Sequence, residues 1–557
     1  MKERWSPGDR QPVIESILGS RAPGLVVLRW ALVAAITLVG LLSLKLSGEA
    51  LTPPHVYRKD FIQEYLLARA VLAGVNPYAP LSELAAQFLG PLPNPVFPHP
   101  TPHPPPVAVI SLPLGLLTYE QAAVAWFLFE MVCLVVSVHL LLRESGWRPG
   151  VWRTLFVSLL VLGWNPFLDD LTVGQLMVPL LVLLLLCWRD LRAGRAIRGG
   201  VFLGCVIALK LLAWPIVLWL VLRRNWRAAG AAIGTVLAAN ALAVVLVGLD
   251  QVIYYYTVAG PVVSALYRAA DVNISVWTIG WRVFEGTGAT VVMGLAAPPL
   301  VAAPEVAGLV SLVIPLVWLG MGLALASRAR SLDAAFGILV CVSVLVNPVA
   351  WAHYLTLTAI PLVYAIRRVL DLRLLRGEAY ALLVSGLLLA LAPRHLRGLA
   401  LLAASPEPGG TGFMVPFLIG LLPFIPALAA MVGLLWLVWR LDRAESLYAR
   451  QGKSAPRAHA ERPFRPHAER GGEQRERGCE QQSSPRAHAP RGHAAETALA
   501  VPPFRTHAER GCEQASVSPR AHAPRGHAAE RGCEQRAMVV VVIPMQEYPC
   551  RPDSRPG

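Results

Sequence analysis

The chain has 557 residues, 55% of them hydrophobic, and a mean hydropathy of +0.51. That is too apolar for a soluble protein of this length and points to several membrane crossings. The formal charge of +15 is no nucleic-acid signal, because the arginines sit in short loops between apolar runs and in the C-terminal tail, with no basic stripe interleaved with aromatics.

Residues 1–23 are polar and precede a run at 24–46 that is long enough to span, without a small-residue cleavage site. This predicts a cytoplasmic N-terminus and an uncleaved first helix, with Arg29 snorkelling at its cytoplasmic end. Residues 47–105 form a first external loop with the first carboxylates after that helix, Asp60 and Glu64. Asp60 to Ala73 reads as an amphipathic interfacial helix, closed by Gly74 and turned by Asn76-Pro77. The Pro-rich run 91–106 must be extended and rigid. Residues 107–117 are too short to span, and 121–142 span again.

Two apolar runs of marginal length, 154–164 and 173–188, are joined by Asn165-Pro-Phe-Leu-Asp169-Asp170-Leu-Thr-Val-Gly174-Gln175. A third stretch, 199–222, is interrupted by Lys210 and Pro215. Basic clusters flank all of these pieces, so short helical hairpins with outward apices are expected. Residues 228–248 span, 249–290 make a second external loop, and 306–326 return. A further hairpin, 334–346 with 354–366, has the apex Asn347-Pro-Val-Ala-Trp351-Ala-His353-Tyr354. Spans at 379–403 and 412–439 complete a membrane domain over 24–440. The expected fold is an all-α polytopic bundle of about 10–13 transmembrane or half-spanning helices.

Residues 441–557 read as a disordered cytoplasmic tail. Ser484–Glu496 recurs unchanged at Ser518–Glu530, and these units have no apolar face with which to stack. Cys133, Cys187, Cys205 and Cys341 lie in apolar runs as small core residues, and the four tail cysteines lack metal-site spacing.

Ionisable residues within or beside the bilayer are expensive and become site candidates. Asp60 is either a helix cap or a catalytic carboxylate, and the two roles are compatible. Asp169 and Asp170 lie beside a Pro turn and are either turn residues or holders of an acceptor sugar. Gln175 opens a helix and reads as a polar turn residue or a site group. Lys210 is far from the basic loop ends and is either a snorkelling cation or a point charge for a lipid phosphate. His353 is a buried hydrogen-bonded histidine or a donor to phosphate or sugar. His99 and His103 are positioned by a stiff backbone, with no role assigned. Phosphate-loop, dinucleotide, zinc-protease and serine-hydrolase motifs are absent.

Several motifs in order resemble glycosyltransferase family 87 (DUF2029) of the GT-C superfamily. They are Asp60-Phe-Ile-Gln-Glu-Tyr65 with Gly74-Val-Asn-Pro-Tyr78, Phe97–Pro106, Gly174-Gln175, Gly199–Gly204 with Ala208-Leu-Lys210, Arg223–Ala228, and Asn347-Pro348 with Trp351–Tyr354. The resemblance implies inverting sugar transfer, mannose foremost, from a polyprenyl-phosphate donor to a lipid-linked or cell-envelope glycan acceptor. Asp60 would be the general base and Lys210 and His353 the donor-phosphate groups. Gln175, Asp169, Asp170, Tyr78 and Trp351 complete the substrate-binding set. It implies no cofactor, and Asp169-Asp170 leave room for a divalent ion without calling for one. The location implied is the bacterial inner membrane, with the site on the periplasmic side and membrane lipids but no nucleic acid as partners. The rival reading is a polytopic transporter or lipid flippase for an envelope glycolipid. It predicts broken helices matched between inverted halves, and no such correspondence is visible.

Overall fold

The computed structural model describes residues 23–450, apart from 95, 289–294, 373–375, 392 and 407–412. The N-terminal segment, the Arg29 side chain and the repeat-bearing tail with its cysteines lie outside the described residues.

The chain is an all-α membrane bundle with almost no strand among the described residues. Five helices are long and apolar enough to cross a membrane: Val26–Glu49, Tyr119–Glu144, Trp226–Val247, Pro304–Arg328 and Ile425–Ala444. Two bent pairs raise this to seven if each is one span. Leu28, Trp30, Leu237 and Leu316 are exposed on these helices, as lipid-facing side chains are. Shorter helices supply the rest. Helix Ala196–Lys210 packs along Trp226–Val247 where a Cβ at Gly200 or Gly204 would run into the Ala228 or Ala232 carbonyl, so glycine sets the close approach.

The half-length pieces end where the sequence interrupts itself. Val151–Leu162 turns by 82° into Asn165–Val173 at the Asn-Pro step, so this apex is itself a short helix and not a loop. The 199–222 stretch breaks directly after Lys210. Leu211 and Ala213 take left-handed conformations, and Trp214–Leu222 restarts with Pro215 in its first turn.

Four expectations change. Helix Ile62–Leu72 buries residues on nearly every side, Glu64, Leu66, Leu67 and Ala68 among them, so it is packed inside the protein and does not float in the interface. The 379–403 span is broken: Gly377–Ala390 and His395–Leu401 meet at 70°, with Pro393 unable to continue the helix. The 412–439 span starts only at Ile425, because Phe413–Met414 pairs in parallel with Leu295–Ala296 and antiparallel with Ser405–Pro406. The final helix runs on to Arg450, beyond the exit expected near 440.

Candidate active site

The site begins with a lock between the first loop and the end of helix Asn165–Val173. The last carbonyls of a helix have no partners within it. Here the buried Lys59 donates from Nζ to Leu171 O at 3.0 Å and Thr172 O at 2.6 Å, and Phe61 N donates to Val173 O at 3.2 Å. Gly174, at φ +74°, lets the chain leave the helix. A Cβ there would stand 2.9 Å from Phe61 Cβ and 3.1 Å from Lys59 Cε. Trp126 Nε1 then donates to Gly174 O at 3.1 Å. Asp60 lies between the two anchored residues, and Gln175 follows the turn.

These anchors bring Gln175 Nε2 to 3.1 Å from Asp60 Oδ2, donating, while Gln175 Oε1 accepts from Lys210 Nζ at 2.6 Å. Gln175 thereby spans the carboxylate and the cation without letting them neutralise one another directly. The Lys210 ammonium also lies 5.2 Å from the centre of the Tyr354 ring. Asp60 does not cap the following helix: Phe61 holds that position, with no side-chain cap. Desolvation raises the Asp60 carboxyl to about 6, with Glu64 adding to the rise and the Gln175 hydrogen bond and Lys210 opposing it.

Asp60 opens on a cavity of about 650 Å³ whose lining includes Asp169, Gln175, Lys210, Trp351 and His353. His353 Nδ1 is 3.6 Å from Asp169 Oδ2, and burial holds its imidazole below the usual range, partly offset by Asp169. At neutral pH His353 therefore offers a hydrogen bond, and Lys210 supplies the charge. Six of the eight residues singled out from sequence are brought together here. The other two are not. Asp170 is fully buried and accepts from Met177 N and Val178 N, tying the start of helix Met177–Arg192 to the same turn. Tyr78 is also fully buried, and its hydroxyl donates to His103 O beneath the lining.

The opposite wall holds groups to which sequence reasoning assigned no role. His99 Nδ1 lies 2.7 Å from Pro100 O, so that nitrogen carries the proton and Nε2 accepts from the Tyr267 hydroxyl at 2.7 Å. Tyr267 meets Trp351 edge-on, with ring centres 5.3 Å apart. Arg397, inside what read as a span, lines the cavity and pairs with the buried Asp271 at 3.2 Å. Behind this wall Arg282 is fully buried. It donates from Nη2 to the carbonyls of Ala270, Asp271 and Asn273 at 2.9–3.0 Å. Asn273 ties Tyr267 O and Pro348 O together through Nδ2 and accepts from Ala350 N. The Pro-rich run carrying two histidines was the available signal for His99 and His103, while Arg282 reads in sequence as an ordinary loop arginine. Among the described residues no group of three or more His, Cys, Asp or Glu could hold a metal ion.

The polytopic helical bundle thus sets a carboxylate and a cation against one cavity at its half-length helix ends. Residues 102–348 match the model of glycosyltransferase family 87, and this match supports assigning the chain to that family. The matched segment contains Asp169, Gln175 and Lys210 and stops short of Asp60 on one side and His353 on the other. The fold joins them to it. No curated protein and no solved structure matches the chain.

Proposed function

We propose that this glycosyltransferase takes its sugar from a polyprenyl-phosphate donor and passes it, with inversion, to a hydroxyl of a lipid-linked or cell-envelope glycan, with Asp60 as general base. The observation that carries the reading is the Asp60–Gln175–Lys210 chain at the cavity wall. It places an ionisable base and a fixed cation at opposite ends of one amide. The Asp60 carboxylate takes the acceptor hydroxyl proton as the acceptor oxygen bonds to the anomeric carbon. The bond from that carbon to the phosphate oxygen breaks, and the electron pair leaves with the polyprenyl phosphate. Lys210 balances the leaving charge, and His353 donates a hydrogen bond to it. A carboxyl near 6 is ionised at neutral pH and still basic enough to accept a proton. Mannose is the sugar proposed first, from the family resemblance, and the periplasmic face of a bacterial inner membrane is the location.

The test offers purified protein in lipid the polyprenyl-phosphate forms of mannose, glucose and arabinose with a panel of envelope acceptors. Transfer from one of them is expected. Asp60→Asn turning over at the wild-type rate would remove the base assignment, and no transfer by the wild-type protein from any of the donors would remove the donor class.

A further inference from the structure

A second acid sits behind Asp60 in the same wall. Glu64 on helix Ile62–Leu72 is fully buried, and among the described residues neither of its carboxylate oxygens has a hydrogen-bond partner of good geometry. The polar group beside it is His103, whose Nε2 stands 3.0 Å from Glu64 Oε1. A buried carboxylate that satisfies so little of its bonding capacity is costly, and such groups concentrate where they serve a site.

His103 is 1% exposed, yet it contributes to the cavity lining. Its backbone is fixed from both sides. Its N–H donates to Thr101 Oγ1 at 3.3 Å and its carbonyl accepts from the Tyr78 hydroxyl at 3.3 Å. The Tyr255 hydroxyl donates to the preceding Pro102 carbonyl at 2.8 Å. No hydrogen bond to Nδ1 occurs among the described residues. A carboxylate beside Nε2 keeps a proton on that nitrogen whether the ring is neutral or cationic, so Nδ1 is a lone pair in one state and an N–H in the other. A hydroxyl, which donates and accepts, suits both states; a phosphate oxygen, which only accepts, suits one. His103 is close enough to His353 to disfavour protonation there, and Glu64 is close enough to Asp60 to disfavour its ionisation. The pair therefore stands beside the groups assigned above to the reacting centre.

We propose that His103 binds a hydroxyl of the donor sugar through Nδ1, and that Glu64 is the positioning residue that holds the ring through Nε2. The proposal rests on the donor reading above and adds the element that would recognise the sugar itself. Tyr78 then has its place as the support of the His103 backbone.

The experiment compares full-length protein in lipid on polyprenyl-phosphate mannose and on its monodeoxy forms, or on the corresponding glucose or arabinose set if the wild-type protein uses that donor. His103→Leu is expected to lower kcat/KM for the parent donor by roughly 10- to 100-fold. For one monodeoxy donor, the same substitution should cost no more than about threefold, because the partner hydroxyl is already gone. His103→Asn, whose amide reaches close to the place of Nδ1, should recover much of the loss. Glu64→Gln should raise KM more than it lowers kcat and shrink the discrimination between the parent and that one monodeoxy donor. An equal loss across all donors, or a loss that follows an acceptor hydroxyl instead, overturns the proposal. Melting temperatures measured with and without donor give the same comparison if a variant turns over too slowly to assay. Failure of the donor reading looks different: the wild-type protein would show neither transfer nor a donor-induced rise in melting temperature with any polyprenyl-phosphate sugar.

Discussion

The two walls of the cavity are built by opposite means. The Asp60 wall is fastened at many points, each weak alone: Lys59 and Phe61 on the spare carbonyls of a helix end, Trp126 on the turn, Gln175 on the carboxylate. The Tyr267–Trp351 wall hangs largely from two buried side chains, Arg282 and Asn273, which gather backbone carbonyls from the 267–273 loop and the 348–350 apex. A wall held by distributed backbone bonds can lose its reactive group and keep its shape. A wall held by one guanidinium cannot lose that group without leaving several buried carbonyls unpaired.

The sharpest way to break this comparison is Asp60→Asn. Transfer should fall by roughly 10²- to 10⁴-fold, the usual contribution of a positioned base. The melting temperature at pH 7–8 should hold or rise, because the buried charge is gone and the amide oxygen still accepts from Gln175. A marked drop in melting temperature would mean that the carboxylate also holds its wall. On the far wall, Arg282→Met should cost about 3–5 kcal/mol of stability, in line with stripping one partner from a buried charged network, and should be read from the unfolding midpoint before any rate is interpreted. A well-folded variant with normal stability would show that the loop has other supports.

Gly174→Ala sits between these extremes. The added carbon meets Phe61 and Lys59 in a left-handed conformation, so a cost of roughly 1–2 kcal/mol is expected together with slower turnover as Asp60 and Gln175 move apart. Slower turnover with an unchanged melting temperature would sharpen the case that this turn serves geometry more than folding. Lys210→Met should raise KM for the donor by about tenfold, measured under saturating acceptor, and unchanged donor kinetics would return Lys210 to a packing role. The smallest effect is the pH profile. If Asp60 is the base proposed above, only its ionised form turns over, so kcat/KM should rise as pH climbs through about 6 and fall by about tenfold for each unit below it. Asp60 is an acid whose folded value is raised, so its ionisation above pH 6 works against folding; lowering the pH through 6 relieves its share of that cost as activity is lost.

How much of this could be read from the chain differs between the walls. The membrane bundle, the three interrupted apolar runs and the Asp60, Lys210 and His353 candidates follow from hydropathy and from ionisable groups placed where charge is costly, while Gln175 enters through the family resemblance. The direction of an interaction does not follow from such patterns. Asp170 and Asp169 are adjacent in sequence, yet one stabilises a helix start and the other faces the cavity, because successive helical residues point about 100° apart. Arg397 and the 379–403 run were misread for a related reason. An average over an apolar window hides a single Pro393 that bends the helix and turns an arginine inward. Arg282 and Asn273 gave no signal, since their partners are backbone carbonyls distant in sequence.

The segment that carries both wall histidines alternates with ring-locked residues: Pro98, Pro100, Pro102, then Pro104, Pro105 and Pro106. Each fixes its own φ and narrows the choices of the residue before it. Much of the chain entropy that a flexible loop would surrender on gripping a substrate is therefore absent before the substrate arrives. Replacing Pro102 by Ala should then show calorimetrically as a less favourable binding entropy at nearly constant enthalpy, which is the thermodynamic mark of a wall made stiff by covalent rings.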